Sequence, residues 1–231
     1  MTDYLFAPPP VVSIPVQGSD TRYPVRRIFC VGRNYEAHAK EMGVQVDRQA
    51  PFYFTKSPDT YVPSGASVAY PPGTSNYHYE MELVVVIGKA GFQIGLENAL
   101  EHVYGYACGL DMTRRDLQLT AREQSRPWDL GKDFEQSAVI APIVPASVVG
   151  HPGAGALTLD VNGKQRQSSD LNLLIHKVPE LLAHLSGFYH LTPGDVIFTG
   201  TPEGVGAVLP GDQIVGRIDQ LGEVTLQITA H

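Results

Sequence analysis

The sequence lacks the features of several large classes of protein. The 231 residues carry a net charge of −7, and lysine and arginine form no run that would make a basic patch. Such a chain is unsuited to binding nucleic acid. No apolar run approaches the ~20 residues that a membrane-spanning helix needs. The longest run, Leu83 to Ile87, has the length of a strand. We therefore expect a protein that binds neither nucleic acid nor membranes.

Cysteine is scarce, and the N-terminus lacks the marks of a secretory signal. Cys30 and Cys108 are the two cysteines, and both lie in apolar segments far apart. We expect two buried free thiols rather than a disulfide or a zinc site. The first ten residues, MTDYLFAPPP, contain neither the basic nor the long apolar region of a signal peptide. A cytoplasmic protein is expected.

Many short strands and few helices are predicted. Residues 1–24 are rich in proline and aperiodic, and we interpret them as an arm that wraps the domain or a neighbouring subunit. Residues 25–231 are expected to form one domain. The predicted strands are RRIFCV, FYFT, LVVVI, YGYACGL, the hairpin ALTLDVNGKQRQ, DVIFT, DQIVGRI and EVTLQI. The regular helix–strand alternation of a parallel sheet is absent. This pattern favours a β-rich α+β fold.

The helical segments are fewer and have identifiable ends. Asn34 is predicted to cap a helix over NYEAHAKEM, and Thr113 with Asp116 has the spacing of a capping box for a helix running to about Gln124. A short helix is expected over ENALEHV and a polar loop over residues 44–51. The stretch LNLLIHKVPELLAHLSGFY has a helical pattern that Pro179 interrupts.

Acidic residues in two strands suggest a cation site. Glu80 and Glu82 lie two positions apart in HYEMELVVVI, so in an extended strand both carboxylates point to one face and repel each other. A hard divalent cation would offset that repulsion, whereas a solvated strand start would need none. Asp111 ends another apolar strand, where it is either a third ligand or only a helix cap.

Three further features have both a chemical and a purely structural interpretation. His38 and Glu41 share a helix face, which suits a carboxylate that orients an imidazole base but equally suits two exposed polar residues. The segment TGTPEGVG, Thr199 to Gly206, allows close backbone approach to a ligand or forms a plain turn. Lys132 is either a surface lysine or a group that stabilises an anion.

Five segments, in matching order and spacing, resemble the fumarylacetoacetate hydrolase family. VGRNYEAHAKEMG resembles the family segment with a histidine and a glutamate, and HYEMELVVVIG its metal-binding Glu-x-Glu strand. GLDMTRRDLQ resembles the third metal ligand, RPWDLGKDF the lysine segment and TGTPEGVG the glycine-rich substrate loop. The resemblance runs from about Tyr23 to the C-terminus. The short length resembles the stand-alone acylpyruvase branch, and the chain is most similar to its bacterial fumarylpyruvate hydrolases.

The resemblance implies a fold, an activity and roles for residues. The fold would be that of the family's C-terminal domain, a mixed β-sandwich or β-roll with few helices, usually as a homodimer. Mg²⁺ or Mn²⁺ would bind Glu80, Glu82 and Asp111. His38 and Glu41 would activate water on a lid over the substrate, and Lys132 would stabilise the oxyanion. The substrate contacts implied are Arg33, Arg115, Gln118, Gly200 and Thr201.

The activity implied is hydrolysis of the carbon–carbon bond of an acylpyruvate. Fumarylpyruvate, cleaved to fumarate and pyruvate in gentisate catabolism, is the first candidate substrate. Oxaloacetate decarboxylation, or hydrolysis of a broad range of acylpyruvates, is the alternative, because both reactions can leave a pyruvate enolate. A binding module without turnover is a third interpretation, although binding alone does not require a water-activating pair beside three carboxylates.

Overall fold

Short strands make up most of the regular structure. The computed structural model describes residues 3–43 and 50–230. Within them the strands are β1 (Ser13–Pro15), β2 (Arg22–Pro24), β3 (Arg27–Gly32), β4 (Phe52–Lys56), β5 (Tyr61–Pro63), β6 (Ala66–Ala69), β7 (Tyr77–Tyr79), β8 (Met81–Ile87), β9 (Val103–Asp111), β10 (Thr113–Arg114), β11 (Ala138–Ile140), β12 (Val144–Pro145), β13 (Ala156–Val161), β14 (Lys164–Asp170), β15 (Asp195–Phe198), β16 (Gly206–Ala207), β17 (Gln213–Ile218) and β18 (Gly222–Thr229).

The helices of the described residues are short. They are α1 (Glu36–Glu41), α2 (Arg115–Glu123), α3 (Asp129–Lys132), α4 (Ala146–Val149) and α5 (Val178–Ser186), with 3₁₀ turns at Pro58–Thr60, Leu96–His102 and Leu171–Leu173. None of the helices in this part of the chain combines the length and the apolar character that crossing a bilayer requires. The predicted β-rich α+β fold is confirmed.

Two larger sheets organise the fold. The eight-stranded sheet has the order β4-β3-β15-β8-β9-β11-β5, with β12 paired to β9, and the five-stranded sheet has the order β14-β13-β17-β18-β6. Most neighbours are antiparallel, and β3–β15, β5–β11 and β6–β18 are parallel. Two smaller sheets, β1-β2 and β10-β7-β16, complete the described strands. The mixture of parallel and antiparallel pairs agrees with the absence of helix–strand alternation in the sequence.

The central strand β8 is buried on both faces. Leu83 and Val85 belong to the larger apolar cluster, while Val84 and Val86 belong to the smaller one on the opposite face. Burial on both faces explains the continuous apolar run of this strand, because a strand with one solvated face would alternate apolar and polar residues. The five-stranded sheet and α5 contribute to the larger cluster.

The N-terminal segment covers the second face of the large sheet. Ile14, Val16 and Tyr23 are buried in the smaller cluster. The Tyr23 hydroxyl lies 2.8 Å from the Ile87 carbonyl oxygen and accepts the Gly194 amide at 2.7 Å. Part of the predicted arm is thus a small two-stranded sheet, and the division at residue 24 stays a prediction.

Two predicted helix starts are wrong, each because the expected capping side chain has a tertiary partner. Tyr35 holds the N-cap position of α1, and the Asn34 amide instead donates to the carbonyls of Thr199 and His176. Thr113 lies in β10 rather than capping α2, whose N-cap is Arg114. Both differences bear on the site, since Asn34 and Thr113 belong to its framework.

The long helical pattern after β14 is divided into two pieces. A 3₁₀ turn covers Leu171–Leu173, and α5 begins at Val178, so that Pro179 lies in the first turn. Proline is tolerated there because its missing N–H would have no partner within the helix. Pro179 therefore lies in the first turn of a helix rather than interrupting one.

Several local predictions are confirmed. Asn162 and Gly163 join β13 to β14 with φ of 52° and 72°, as a type I′ hairpin requires. Cys30 and Cys108 are buried free thiols. The predicted loop over residues 44–51 lies largely outside the described residues.

Tyr23→Phe tests how firmly the N-terminal segment is held. Removing the hydroxyl leaves the buried Gly194 amide without its acceptor, which should cost about 1–3 kcal/mol of unfolding free energy. Urea denaturation measures the loss. Tyr104→Phe is the matched control, because Tyr104 is 37% exposed and stacks on Tyr23 at 6.0 Å between ring centroids. Equal stability of the two variants would contradict the assigned role.

Candidate active site

Strand pairing brings three carboxylates together. Asp111 ends β9, Glu82 lies in the neighbouring β8, and Glu80 immediately precedes β8. The Asp111 amide donates to the Glu80 carbonyl at 2.9 Å, which sets Asp111 beside Glu80. One oxygen from each carboxylate lies within 4.8 Å of the others, and all three residues are buried.

Three cationic side chains surround two of these carboxylates. The Lys132 ammonium donates to Glu80 and to Asp111, each at 2.7 Å. Lys56 Nζ lies 2.9 Å from Asp111 Oδ1, and Arg115 Nη2 lies 2.5 Å from Glu80 Oε1. Glu82 has a different partner, since its Oε2 accepts the Gly200 backbone amide at 2.6 Å.

The electrostatics leave Glu82 as the least compensated acid. Burial, with Asp111 and Glu80 nearby, raises the pKa of the Glu82 carboxyl well above its ordinary value. Burial acts in the same direction on Glu80, but the charges of Lys132 and Arg115 outweigh it and hold the pKa of Glu80 below its ordinary value. Negative charge at Glu82 therefore calls for a further cation.

The donor set fits a hard divalent cation. All the ligand atoms are carboxylate oxygens, which Mg²⁺ and Mn²⁺ prefer. Asp111 Oδ1 is buried and forms no hydrogen bond with the described residues, although Lys56 pairs with it electrostatically. A buried acceptor without a hydrogen bond is the kind of atom that a metal ion satisfies. Glu80, Glu82 and Asp111 can together hold such an ion.

The His38–Glu41 pair faces the same site from α1. His38 Nδ1 lies 3.1 Å from Glu41 Oε2, and His38 is buried whereas Glu41 is exposed. The Glu41 carboxylate also accepts the Gly204 amide, at 3.2 Å and 3.3 Å to its two oxygens. The glycine-rich loop thus fixes the carboxylate that orients the imidazole.

One pocket collects most of the predicted site residues. Those that line it are Arg33, His38, Glu80, Glu82, Arg115, Gln118, Lys132 and Thr201. The other three lie directly behind the wall, each joined to a lining residue: Glu41 to His38, Asp111 to Lys132, and Gly200 to Glu82. The tertiary structure therefore gathers all eleven predicted residues at one place.

Sequence reasoning missed two buried residues that support the site. Lys56, at the end of β4, pairs with Asp111 and donates to Ser137 Oγ at 2.9 Å, to the Met112 carbonyl at 3.2 Å and to the Lys132 carbonyl. Gln167 donates to Thr201 Oγ1 at 2.9 Å and accepts the Met81 amide at 3.0 Å. Both lie in ordinary strands without a local motif, so no sequence signal distinguished them.

The pocket also has aromatic and basic walls that sequence reasoning did not single out. Phe54, Trp128 and Arg122 line it together with the predicted residues. Trp128 precedes α3, and its ring lies 5.9 Å from that of Phe54. The lining of the pocket is therefore partly aromatic, and it carries a basic side chain beyond those predicted.

A family model for the fumarylacetoacetate (FAA) hydrolase C-terminal domain matches residues 27–229. The chain belongs to this family. Among similar proteins, a fumarylpyruvate hydrolase from Ralstonia sp. is 58% identical over 189 residues, which cover 81% of this chain and 98% of that protein. The oxaloacetate tautomerase YcgM of Escherichia coli (strain K12) is 37% identical, over 88% and 93% of the two chains.

A similar solved structure shows the family fold with ligands. Fumarylpyruvate hydrolase from Pseudomonas aeruginosa, in complex with Mn²⁺ and pyruvate, has 54% identity and a TM-score of 0.96, covering 99% of this chain and all of that chain. The family resemblance and its predicted fold are thereby confirmed. The acidic cluster at the pocket is consistent with the metal that the family structure contains.

Lys56→Met tests the buried ion pair behind the cluster. Losing the ammonium leaves the Asp111 carboxylate partly uncompensated, and breaking a buried pair in this way costs about 3–5 kcal/mol. Urea denaturation in the presence of EDTA measures the change in unfolding free energy. Lys89→Met is the control, because the Lys89–Glu101 pair, at 3.0 Å, is exposed. It should leave the free energy of unfolding nearly unchanged. A Lys56 variant as stable as the control would contradict this assignment.

Proposed function

We propose that the protein is a metal-dependent hydrolase of acylpyruvates, with fumarylpyruvate, cleaved to fumarate and pyruvate, as its substrate. The observation that carries the proposal is the presence, on one pocket, of three buried carboxylates and a histidine–glutamate pair. A cation held by the three carboxylates can bind a substrate through its neighbouring carboxylate and keto oxygens. The imidazole suits a reaction that consumes water. The names of the two fumarylpyruvate hydrolases similar to this chain support the same substrate.

Glu80, Glu82 and Asp111 would hold Mg²⁺ or Mn²⁺. When bound there, such an ion supplies Lewis acidity, which polarises the substrate's keto group and stabilises negative charge on the departing pyruvate. The Gly200 amide, through its hydrogen bond to Glu82, keeps that carboxylate aimed into the pocket. Arg115 and Lys132 hold the orientation of Glu80 in the same way.

His38 would accept the proton of the attacking water. Its Nδ1 faces Glu41, so the tautomer with hydrogen on Nδ1 leaves Nε2 free as the base. Glu41 would stabilise the imidazolium that forms, and the Gly204 amide holds Glu41 in place. The attack would convert the acyl carbonyl of the acylpyruvate to a tetrahedral oxyanion. Its collapse would break the carbon–carbon bond, giving the acid and a pyruvate enolate, and the proton held by His38 would return to the enolate carbon.

Lys132 and Gln118 are the proposed donors to that oxyanion. Burial opposes the charge of Lys132, but Asp111 and Glu80 more than offset burial and raise the pKa of the ammonium, which therefore stays protonated. Its donors already bind Glu80, Asp111 and Thr113, so Lys132 would exchange one of these partners for the substrate oxygen. Arg33, Arg115, Gly200 and Thr201 are proposed as the remaining substrate contacts.

The cellular setting is proposed from the similarity to fumarylpyruvate hydrolases. We expect a homodimer that acts in the cytoplasm in the breakdown of aromatic compounds, with residues 1–24 as an arm on the catalytic domain. Action on oxaloacetate is the second candidate, because several relatives with 37–40% identity are named oxaloacetate tautomerases. The higher identity to a fumarylpyruvate hydrolase favours acylpyruvates.

Glu82→Gln tests the metal ligands. Dialysis against EDTA should abolish fumarylpyruvate hydrolysis by the wild type, and Mg²⁺ or Mn²⁺ should restore it. The variant lacks one ligand charge, so calorimetry should show a lowered affinity for Mn²⁺. Losing a partner outside the ligand set lowers metal affinity roughly 10–100-fold, and losing a ligand should lower it more. Glu101→Gln, at an exposed acid, is the matched control. Full activity of Glu82→Gln after EDTA treatment would end the metal assignment.

His38→Ala separates proton transfer from binding. We expect kcat for fumarylpyruvate to fall about 10²–10⁴-fold, as for loss of a positioned general base. Mn²⁺ and oxalate affinity should stay near wild type in calorimetry. Since Glu41 acts through His38, the double variant with Glu41→Gln should be little worse than His38→Ala. His190→Ala, at an exposed histidine, is the control.

Two results would contradict this assignment. One is hydrolysis by His38→Ala at close to the wild-type rate, and the other is a loss of activity that follows loss of metal. Oxaloacetate serves as a comparator substrate in the same measurements. If kcat/KM of the wild type for oxaloacetate exceeded that for every acylpyruvate tested, action on oxaloacetate would replace the proposed hydrolysis.

A further inference from the structure

Two arginines stand where the pocket opens to the surface. Arg33 and Arg122 line the pocket that contains the acidic cluster, and they also line a wider depression outside it. Phe54 and Trp128 are the other residues common to both cavities, whereas Glu80, Glu82 and Lys132 line the inner one alone. The arginines therefore mark the junction between the inner pocket and the outside.

These two guanidinium groups differ from that of Arg115 in their partners. Arg115 donates to Glu80 and to Gln118, each at 2.5 Å, so both of its terminal nitrogens already have a partner within the protein. Within residues 3–43 and 50–230, neither Arg33 nor Arg122 forms an ion pair with a carboxylate. Asp129, which lines the outer depression, is paired with neither of them.

The contacts that the two side chains do make hold them at the junction. The Arg33 guanidinium lies over the rings of Phe52 and Trp128, at 5.6 Å and 5.8 Å from their centroids. Arg122 Nη1 donates to the Met42 carbonyl at 3.1 Å, which leaves its other nitrogens for a ligand. An arginine stacked on aromatic rings keeps its edge free for a planar anion.

Two like charges on one pocket wall repel unless an anion lies between them. Burial, together with the positive charge of Arg122, lowers the pKa of Arg33 from its ordinary value. Arginine stays charged nonetheless, so the two guanidinium groups repel each other. A carboxylate has the charge and the planar, two-oxygen shape that a guanidinium binds best.

We propose that Arg33 and Arg122 form a subsite for a second carboxylate, at the end of the substrate's acyl group remote from the acidic cluster. The proposal rests on the proposed function and narrows it to acylpyruvates whose acyl chain ends in an acid. The aromatic walls of Phe54 and Trp128 flank the junction, which suits a flat unsaturated chain between two charged ends. Fumarylpyruvate has this form, and acetylpyruvate, whose acyl group ends in methyl, does not.

The experiment compares these two substrates across matched variants. Arg33→Gln and Arg122→Gln should each lower the ratio of kcat/KM for fumarylpyruvate to that for acetylpyruvate by about 10- to 100-fold, the scale of a lost charge-assisted hydrogen bond. Arg122→Lys should recover part of the ratio, because it restores the charge without the guanidinium fork. Arg126→Gln removes an arginine that lines only the outer depression, and should keep the wild-type ratio.

A binding measurement gives a readout that does not depend on turnover. Calorimetry with Mn²⁺ present should show that wild-type protein binds fumarate more tightly than crotonate, in which a methyl replaces one carboxylate. Arg33→Gln and Arg122→Gln should abolish that preference, and Arg126→Gln should retain it. The comparison holds the carbon skeleton constant, so it isolates the second carboxylate.

The outcomes separate the subsite from the proposed function. If both arginine variants lose the two hydrolyses in equal proportion, or if Arg126→Gln shifts the ratio as much as they do, the subsite is overturned and the hydrolase stands. If the wild type cleaves neither acylpyruvate, the proposed function fails, and the fumarate–crotonate comparison decides the subsite alone. Equal binding of fumarate and crotonate by the wild type would then overturn the subsite as well.

Discussion

The confinement of three acidic side chains beneath the surface is the constraint on which the rest of the site depends. Buried charges of one sign are tolerated only when other charges or hydrogen bonds compensate them. Lys56, Lys132 and Arg115 provide compensation for Asp111 and Glu80, and the Gly200 amide provides it for Glu82. Each of these partners comes from a different part of the chain. The acidic cluster therefore dictates where β4, α2, α3 and the glycine-rich loop must meet.

The scaffold that holds this cluster is rigid because the central sheet is packed on both faces. The two apolar clusters fix β8 and β9, from which Glu82 and Asp111 project. The His38–Glu41 pair lies instead on the short helix α1, in which His38 and Ala39 are buried and Glu41 accepts the Gly204 amide. Packed strands hold the carboxylates, and the short helix α1 presents the base. This arrangement suits an active site whose cation ligands must keep a fixed geometry.

The inner end of the pocket holds the carboxylates with their cationic partners, and the outer end carries two further arginines. Glu80 and Glu82 line the inner part, while Arg33 and Arg122 line both the inner part and the outer depression. A cation held by the inner acids would attract one end of an anionic substrate, and the guanidinium groups would attract the other. The net charge of −7 is thus no guide to the charge of the substrate, because the local field of the site differs from the sum over the chain.

The sequence by itself determined the features that depend on near neighbours in the chain. The spacing of Glu80 and Glu82, the apolar run after them and the Asn162–Gly163 turn specify local geometry, and the five motifs together identified the family. Only the tertiary structure decided which distant residues compensate the carboxylates. Lys56 and Gln167 carry no local signal, and Asn34 and Thr113, which looked like helix caps, bind distant groups instead. The physical reason is that a polar side chain has many alternative partners of similar energy, and long-range packing alone selects among them.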